Sequence, residues 1–121
     1  MRGIGTDVVS VSRIEQVLRR TPAFAAGVFS AAERSDCETR RAPAVHYALR
    51  FAAKEAFLKA LGLGVHGGVA LPDVEVRCAD GGAQLSLGPT AAAALGRFGG
   101  GTPHLSISHG GDAALAVVVV P

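Results

Sequence analysis

An α+β architecture is what the sequence predicts. A β-branched run opens the chain, helical segments punctuated by caps and prolines follow, and alternating strand patterns occupy the last half. Strands, then helices, then strands differ from the regular βαβ alternation that builds a parallel sheet.

Ile4 to Val11 is β-branched and mostly apolar, the pattern of a buried strand, with Asp7 set inside it. Ser12-Arg13-Ile14-Glu15 reads as a capping box that opens a helix running to about Arg20, where Thr21-Pro22 ends it. After the apolar stretch Pro22 to Phe29, Ser30-Ala31-Ala32-Glu33 offers a second capping box. Pro43 separates that segment from the longest helical stretch, about Ala44 to Leu61, which Gly62 and Gly64 terminate. Val74 and Val76, then Leu85 and Leu87, suggest two short strands around the turn Ala79-Asp80-Gly81-Gly82. Pro89 suits the first position of a helix over Thr90 to Phe98, stopped by Gly99-Gly100-Gly101. His104 to Ser108 and Ala114 to Val119 are the last strands, joined by Gly110-Gly111-Asp112.

No linker or repeat interrupts the 121 residues, so residues 1–121 are expected to form a single domain. The chain is 49% apolar and 18% charged, enough for a core and too apolar for disorder. Much of that fraction is alanine, and there is no Trp and one Tyr, so each buried side chain contributes little area. Oligomerisation would cover the deficit. A net charge of +2 demotes nucleic-acid binding. Cys37 and Cys78 show neither disulfide nor zinc spacing. No signal-peptide stretch is visible, and the longest apolar run, Ala113 to Val120, is far short of the roughly 20 residues a bilayer requires. A cytoplasmic protein without membrane attachment is the expectation.

Three groups of residues invite chemistry. Asp7 is a carboxylate in an apolar strand, costly to bury unless paired, hydrogen-bonded or bound to a metal; the alternative is that it accepts backbone amides at the strand's open end. Glu55 and Lys59 stand at i,i+4 on one helix face, either as a solvated ion pair or, with Arg50 and Lys54 close by, as part of a polyanion site. One or two carboxylates among cations suit Mg²⁺ bound together with substrate phosphates. Ser106 and Ser108 share a strand face with His109 at the turn, a set suited to a phosphate or a base and equally to an ordinary polar strand end. Arg13 and Arg20, seven apart on one helix face, could receive an acidic partner or simply be solvated.

The order of these signals is more specific than any one of them. Gly3-Ile4-Gly5-Thr6-Asp7-Val8-Val9, the stretch Arg50-Phe51-Ala52-Ala53-Lys54-Glu55-Ala56-Phe57-Leu58-Lys59-Ala60-Leu61-Gly62, and Ser106-Ile107-Ser108-His109 resemble the three blocks of the holo-(acyl-carrier-protein) synthases. These are the small bacterial 4′-phosphopantetheinyl transferases. Phe29-Ser30-Ala31-Ala32-Glu33 and Asp73-Val74-Glu75-Val76 look like further landmarks of the family.

The resemblance implies a small antiparallel sheet packed with a long helix, in a homotrimer with active sites between subunits. It implies transfer of phosphopantetheine from coenzyme A to a serine of an apo acyl carrier protein, releasing adenosine 3′,5′-bisphosphate. By matching position, Asp7 and Glu55 would hold Mg²⁺, Glu55 or a water it orients would take the serine proton, and Lys59 would offset phosphate charge. Arg50 and His109 would contact the coenzyme A phosphates, Ser106 and Ser108 would lie near the nucleotide, and Arg13 and Arg20 would dock the carrier protein. Gly110 and Ala113 depart from the acidic and aromatic residues common there, which bears on the nucleotide pocket and the carrier-protein preference. The rival function is a non-catalytic module of the same fold that binds coenzyme A or a carrier protein.

Overall fold

The computed structural model describes residues 1–121. Its elements are β1 (Gly3–Ser10), α1 (Val11–Arg20), α2 (Pro22–Val28), α3 (Ala31–Glu38), α4 (Pro43–Ala60), a 3-10 turn at Leu71–Asp73, β2 (Val74–Ala79), β3 (Gly82–Leu87), α5 (Pro89–Phe98), β4 (His104–Gly110) and β5 (Ala113–Val120). Strands β1, β5 and β4 form an antiparallel sheet in that order, and β2 and β3 form a separate hairpin. The expected α+β class, with a small antiparallel sheet against a long helix, is what the chain adopts.

Helix α4 is the axis of the fold. Alanines at 48, 52, 53, 56 and 60 are buried, as are Leu49, Phe57 and Leu58. Such small side chains let neighbours approach closely on several sides, so the helix is core nearly all round rather than on one stripe. The sheet covers it from one side, with Ala114, Ala116, Val118 and Val120 of β5 pointing inward. Contact with β1 is closer still. A Cβ built on Gly3 would lie 2.2 Å from the Ala60 carbonyl oxygen, and one on Gly5 2.1 Å from that of Ala56. Both are backbone atoms, so neither obstruction can swing away. Gly5→Ala should therefore push β1 off α4 and cost about 1–3 kcal/mol, measured as a fall in the urea midpoint at constant slope.

Two local expectations shift. The cap of α1 is Ser10, not Ser12: the Ser10 hydroxyl accepts from the Arg13 amide at 3.2 Å. Ser12 lies inside the first turn and turns its hydroxyl and amide to Asp112, while Glu15 pairs with Arg19 at 3.1 Å. The cause is tertiary, because the β4–β5 turn supplies an acceptor that a local capping box would otherwise provide. The apolar stretch after Pro22 is a short helix, α2, with the proline in its first turn. The second capping box forms as read, with Ser30 and Glu33 each accepting the other's amide, at 3.1 and 3.0 Å.

Lys54 does not join the cations near Glu55. Its ammonium is fully buried and donates to Glu33 Oε1 at 2.7 Å, the Val74 carbonyl at 2.7 Å and the Leu71 carbonyl at 3.0 Å. Glu33 also accepts from the Val76 amide at 2.9 Å. Burial pushes the Lys54 pKa down and the Glu33 carboxylate pulls it back up. The pair pins α3 and β2 to α4. Cys37 is buried, with burial raising its thiol to about 12, and Cys78 is half-buried; both are free.

Candidate active site

The antiparallel run of β1 along α4 places the first constellation. Gly3 meets Ala60 and Gly5 meets Ala56. Two strand residues advance about 6.7 Å and four helical residues about 6 Å, so the next inward residue comes level with the preceding turn. That residue is Asp7, and the turn carries Glu55.

Asp7 is neither at an open strand end nor bound to backbone amides. It sits mid-strand with its side chain 14% exposed, and Oδ1 accepts from Lys59 Nζ at 2.9 Å. The Glu55–Lys59 pair suggested by their spacing does not form. Lys59 reaches across to the strand instead, leaving the half-buried Glu55 carboxylate with no ion pair or side-chain hydrogen bond. Lys59 itself remains 56% exposed, free to turn toward a ligand.

Asp7 and Glu55 could supply the one or two carboxylates that Mg²⁺ takes, its remaining positions going to water and phosphate, with Lys59 as a flexible cation beside Asp7. No group of three or more His, Cys, Asp or Glu side chains converges anywhere in the chain.

Arg50 stands midway along α4, and His109 lies close enough to its first half to act on the charge of His46. Arg50 is 1% exposed; one terminal nitrogen is bonded to Asp36, the other donates to the His46 carbonyl at 3.2 Å, and Nε has no partner. Arg50 and Asp36 line a cleft of about 390 Å³ with Glu75 and Arg77. His109 is exposed and faces the α4 side of the sheet, in the row Val9–Ala114–His109. His46 has a depressed pKa, first through burial and then through the cations Arg40 and Arg50, with a smaller push from His109.

Ser106 and Ser108 share a face, as the alternation predicts, but it is the face turned away from α4. They lie in rows with Val117 and Leu115 of β5, and Thr6 and Val8 of β1 continue the same rows. Within one chain the structure does not bring them to Asp7. That outer face is apolar and uncovered: Ile4 is 55%, Val8 63% and Leu115 38% exposed. Gly110 and Ala113 are the last rung of the β4–β5 hairpin and both are exposed.

Arg13 and Arg20 are exposed on α1, Arg13 at the rim of an apolar groove of about 310 Å³ lined by Val8, Ile14, Val17, Phe24 and Phe51. The groove escaped the sequence reading because its walls come from four elements. The hydrophobic residues of α1 and α2 were its only trace.

Comparison with known proteins accords with this arrangement. Residues 3–118 match the family model of the 4′-phosphopantetheinyl transferase superfamily. The chain is 43% identical over 122 residues to the holo-(acyl-carrier-protein) synthase of Syntrophus aciditrophicus strain SB, covering 99% of this chain and 95% of that protein. It superposes on the crystal structure of the Neisseria meningitidis holo-(acyl-carrier-protein) synthase with a TM-score of 0.89 at 34% identity, over 100% and 98% of the two chains. On the Helicobacter pylori holo-(acyl-carrier-protein) synthase in complex with coenzyme A the TM-score is 0.82 at 31% identity, over 98% and 99%. No helix of the chain is long and apolar enough to cross a membrane. Fold and full-length sequence match agree: the chain belongs to the 4′-phosphopantetheinyl transferase superfamily.

Proposed function

We propose that this protein, as one domain, is a holo-(acyl-carrier-protein) synthase: it moves the 4′-phosphopantetheine group of coenzyme A onto a serine hydroxyl of an apo acyl carrier protein and releases adenosine 3′,5′-bisphosphate. The observation that carries the reading is the Lys59–Asp7 bridge at 2.9 Å beside an unpaired Glu55. It puts a carboxylate and a mobile cation at the crossing of β1 and α4, with Glu55 one turn before Lys59 on the same helix. The coenzyme A complex of the Helicobacter pylori relative supports coenzyme A as the donor.

Phosphoryl transfer depends on positioning and charge neutralisation more than on covalent catalysis by the protein. Asp7 and Glu55 would hold Mg²⁺, which when bound would neutralise pyrophosphate charge. Lys59 swings from Asp7 to the phosphates and offsets the charge that builds as the bond to the leaving bisphosphate breaks. Glu55, or a water it orients, takes the proton from the attacking serine. Arg50, through its uncommitted Nε, and the exposed imidazole of His109 offer hydrogen-bond donors to the remaining phosphates.

A homotrimer in the cytoplasm is the working form that the family resemblance implies, and two features support the subunit contact it needs. The uncovered apolar sheet face calls for a subunit partner. Ser106 and Ser108 stand on that same face, where they would serve a nucleotide held at a subunit boundary. Arg13, at the rim of the apolar groove, and Arg20, exposed near the far end of the same helix, suit a carrier-protein helix with acidic and apolar residues. In the Arg13→Glu/Arg20→Glu variant the KM for carrier protein should rise at least about tenfold and lose its salt dependence, with coenzyme A affinity unchanged. Equal loss of both affinities would contradict the docking role.

Linkage gives a direct test of the metal-dependent donor site. Coenzyme A and Mg²⁺ together should raise Tm by more than the sum of their separate shifts, as required when each binds the folded protein better in the presence of the other. Strictly additive shifts would argue against a shared site.

A further inference from the structure

Asp112 is far from the proposed reacting groups in sequence, and the reading so far gives it no role. Its carboxylate nevertheless makes three side-chain interactions with one short segment. Oδ2 accepts from the Ser10 hydroxyl at 2.6 Å and the Ser12 hydroxyl at 2.9 Å, and Oδ1 accepts from the Ser12 amide at 2.9 Å. Its backbone carbonyl accepts from the Val11 amide at 2.7 Å.

These bonds complete the cap of α1. The first helical amides lack intrahelical partners. Val11 and Ser12 find theirs on Asp112, and Arg13 finds its own on Ser10 Oγ. The helix has no acidic residue in its own first turn, so Asp112 also supplies the negative charge that a helix N-terminus favours. Packing adds the buried Ile14 and the half-buried Val11, which rests against the core. The pKa of Asp112 is held below its ordinary value of 3.8, chiefly by the Ser10 hydroxyl, so the clamp is charged throughout the neutral range.

The clamp joins three functional elements at one point. Ser10 ends the strand that bears Asp7, Asp112 follows the strand that bears Ser108 and His109, and Ser12 precedes Arg13. We propose that Asp112 is a positioning residue for carrier-protein recognition: by clamping Ser10 and Ser12 it sets the direction in which Arg13 leaves the first turn of α1, in register with the site at Asp7. This proposal rests on the docking role assigned above to Arg13.

Steady-state kinetics on the full-length enzyme test it, with carrier protein and coenzyme A varied in turn. Loss of a cap of this kind predicts a rise of about fivefold to tenfold in the carrier-protein KM of Asp112→Ala, with coenzyme A affinity unchanged. Asp112→Asn keeps one acceptor for the Ser12 amide and should recover part of that loss. In an Arg13→Ala background, Asp112→Ala should add less than about twofold, because the group it positions is gone. Amide exchange at Ser12 and Arg13 should accelerate in Asp112→Ala. The same fold-loss with and without Arg13, or a matching fall in coenzyme A affinity, would mean that Asp112 merely supports the fold and would overturn the proposal. If Arg13→Ala alone leaves the carrier-protein KM unchanged, the docking role itself fails, and the unchanged single variant separates that failure from the first.

Discussion

Glu55→Gln should lose transfer activity by on the order of 10²–10³-fold while keeping the fold and the urea midpoint of the parent. Glu55 makes no ion pair or side-chain hydrogen bond within the chain, so removing its charge disturbs no structural contact. Its cost should therefore fall on the chemistry. Asp7→Asn should behave similarly, with one difference. It also removes the partner of Lys59, an ion pair open to solvent on the lysine side and worth at most about 1 kcal/mol. Kinetics across an Mg²⁺ titration would check both, since each variant should need more metal for half-maximal rate. Near-parental turnover in either one would remove it from the metal site.

Lys54→Met should show the opposite profile. Glu33, 2% exposed, would be left as an uncompensated buried charge, and the carbonyls of Leu71 and Val74 would lose their shared donor. Breaking a buried pair from one side typically costs about 3–5 kcal/mol, a large part of the usual 5–15 kcal/mol stability of a domain. The urea midpoint should fall accordingly. Adding Glu33→Gln should recover part of the loss, because the double variant no longer buries a lone charge. A loss below about 1 kcal/mol for Lys54→Met would show that water or rearrangement satisfies Glu33 instead. Five residues further along the same helix, Lys59→Met should have almost no effect on stability and a severe one on rate. Two lysines of α4 thus separate folding from function.

The contrast between these lysines marks how far the sequence could be read. Where partners are close in the chain, the reading was sufficient. The Ser30–Glu33 capping box, the hairpin turn closing on Ala79 and Gly82, and Gly99 with φ of 85° at the end of α5 are local devices and stand where their residue types place them. The sequence likewise offered Asp7 as an anomaly worth an explanation. What it did not disclose depends on distant partners. Lys54 looked like one more cation beside Glu55, because Glu33 lies 21 positions away and burial does not mark a lysine in advance. Ser12 looked like a cap because the residue that displaces it, Asp112, is about 100 positions away. Lys59 had Glu55 as an ideal i,i+4 partner and chose Asp7, 52 positions back, since the close crossing of β1 over α4 brings that carboxylate within reach. For the functional residues as a set, motif resemblance was the stronger guide. Spacing alone left Ser106 and Ser108 equally suited to a polar strand end, and only the fold shows that they share the uncovered face of the sheet.

The central claim is group transfer, and the mass of the product is its most direct readout. The protein is incubated with coenzyme A, Mg²⁺ and an apo acyl carrier protein, and intact masses are recorded with and without EDTA. The carrier protein should gain one phosphopantetheine group, and EDTA should abolish the gain. Unmodified carrier protein across several apo forms, with coenzyme A demonstrably bound, would contradict it and identify the chain as a binding module on the same fold.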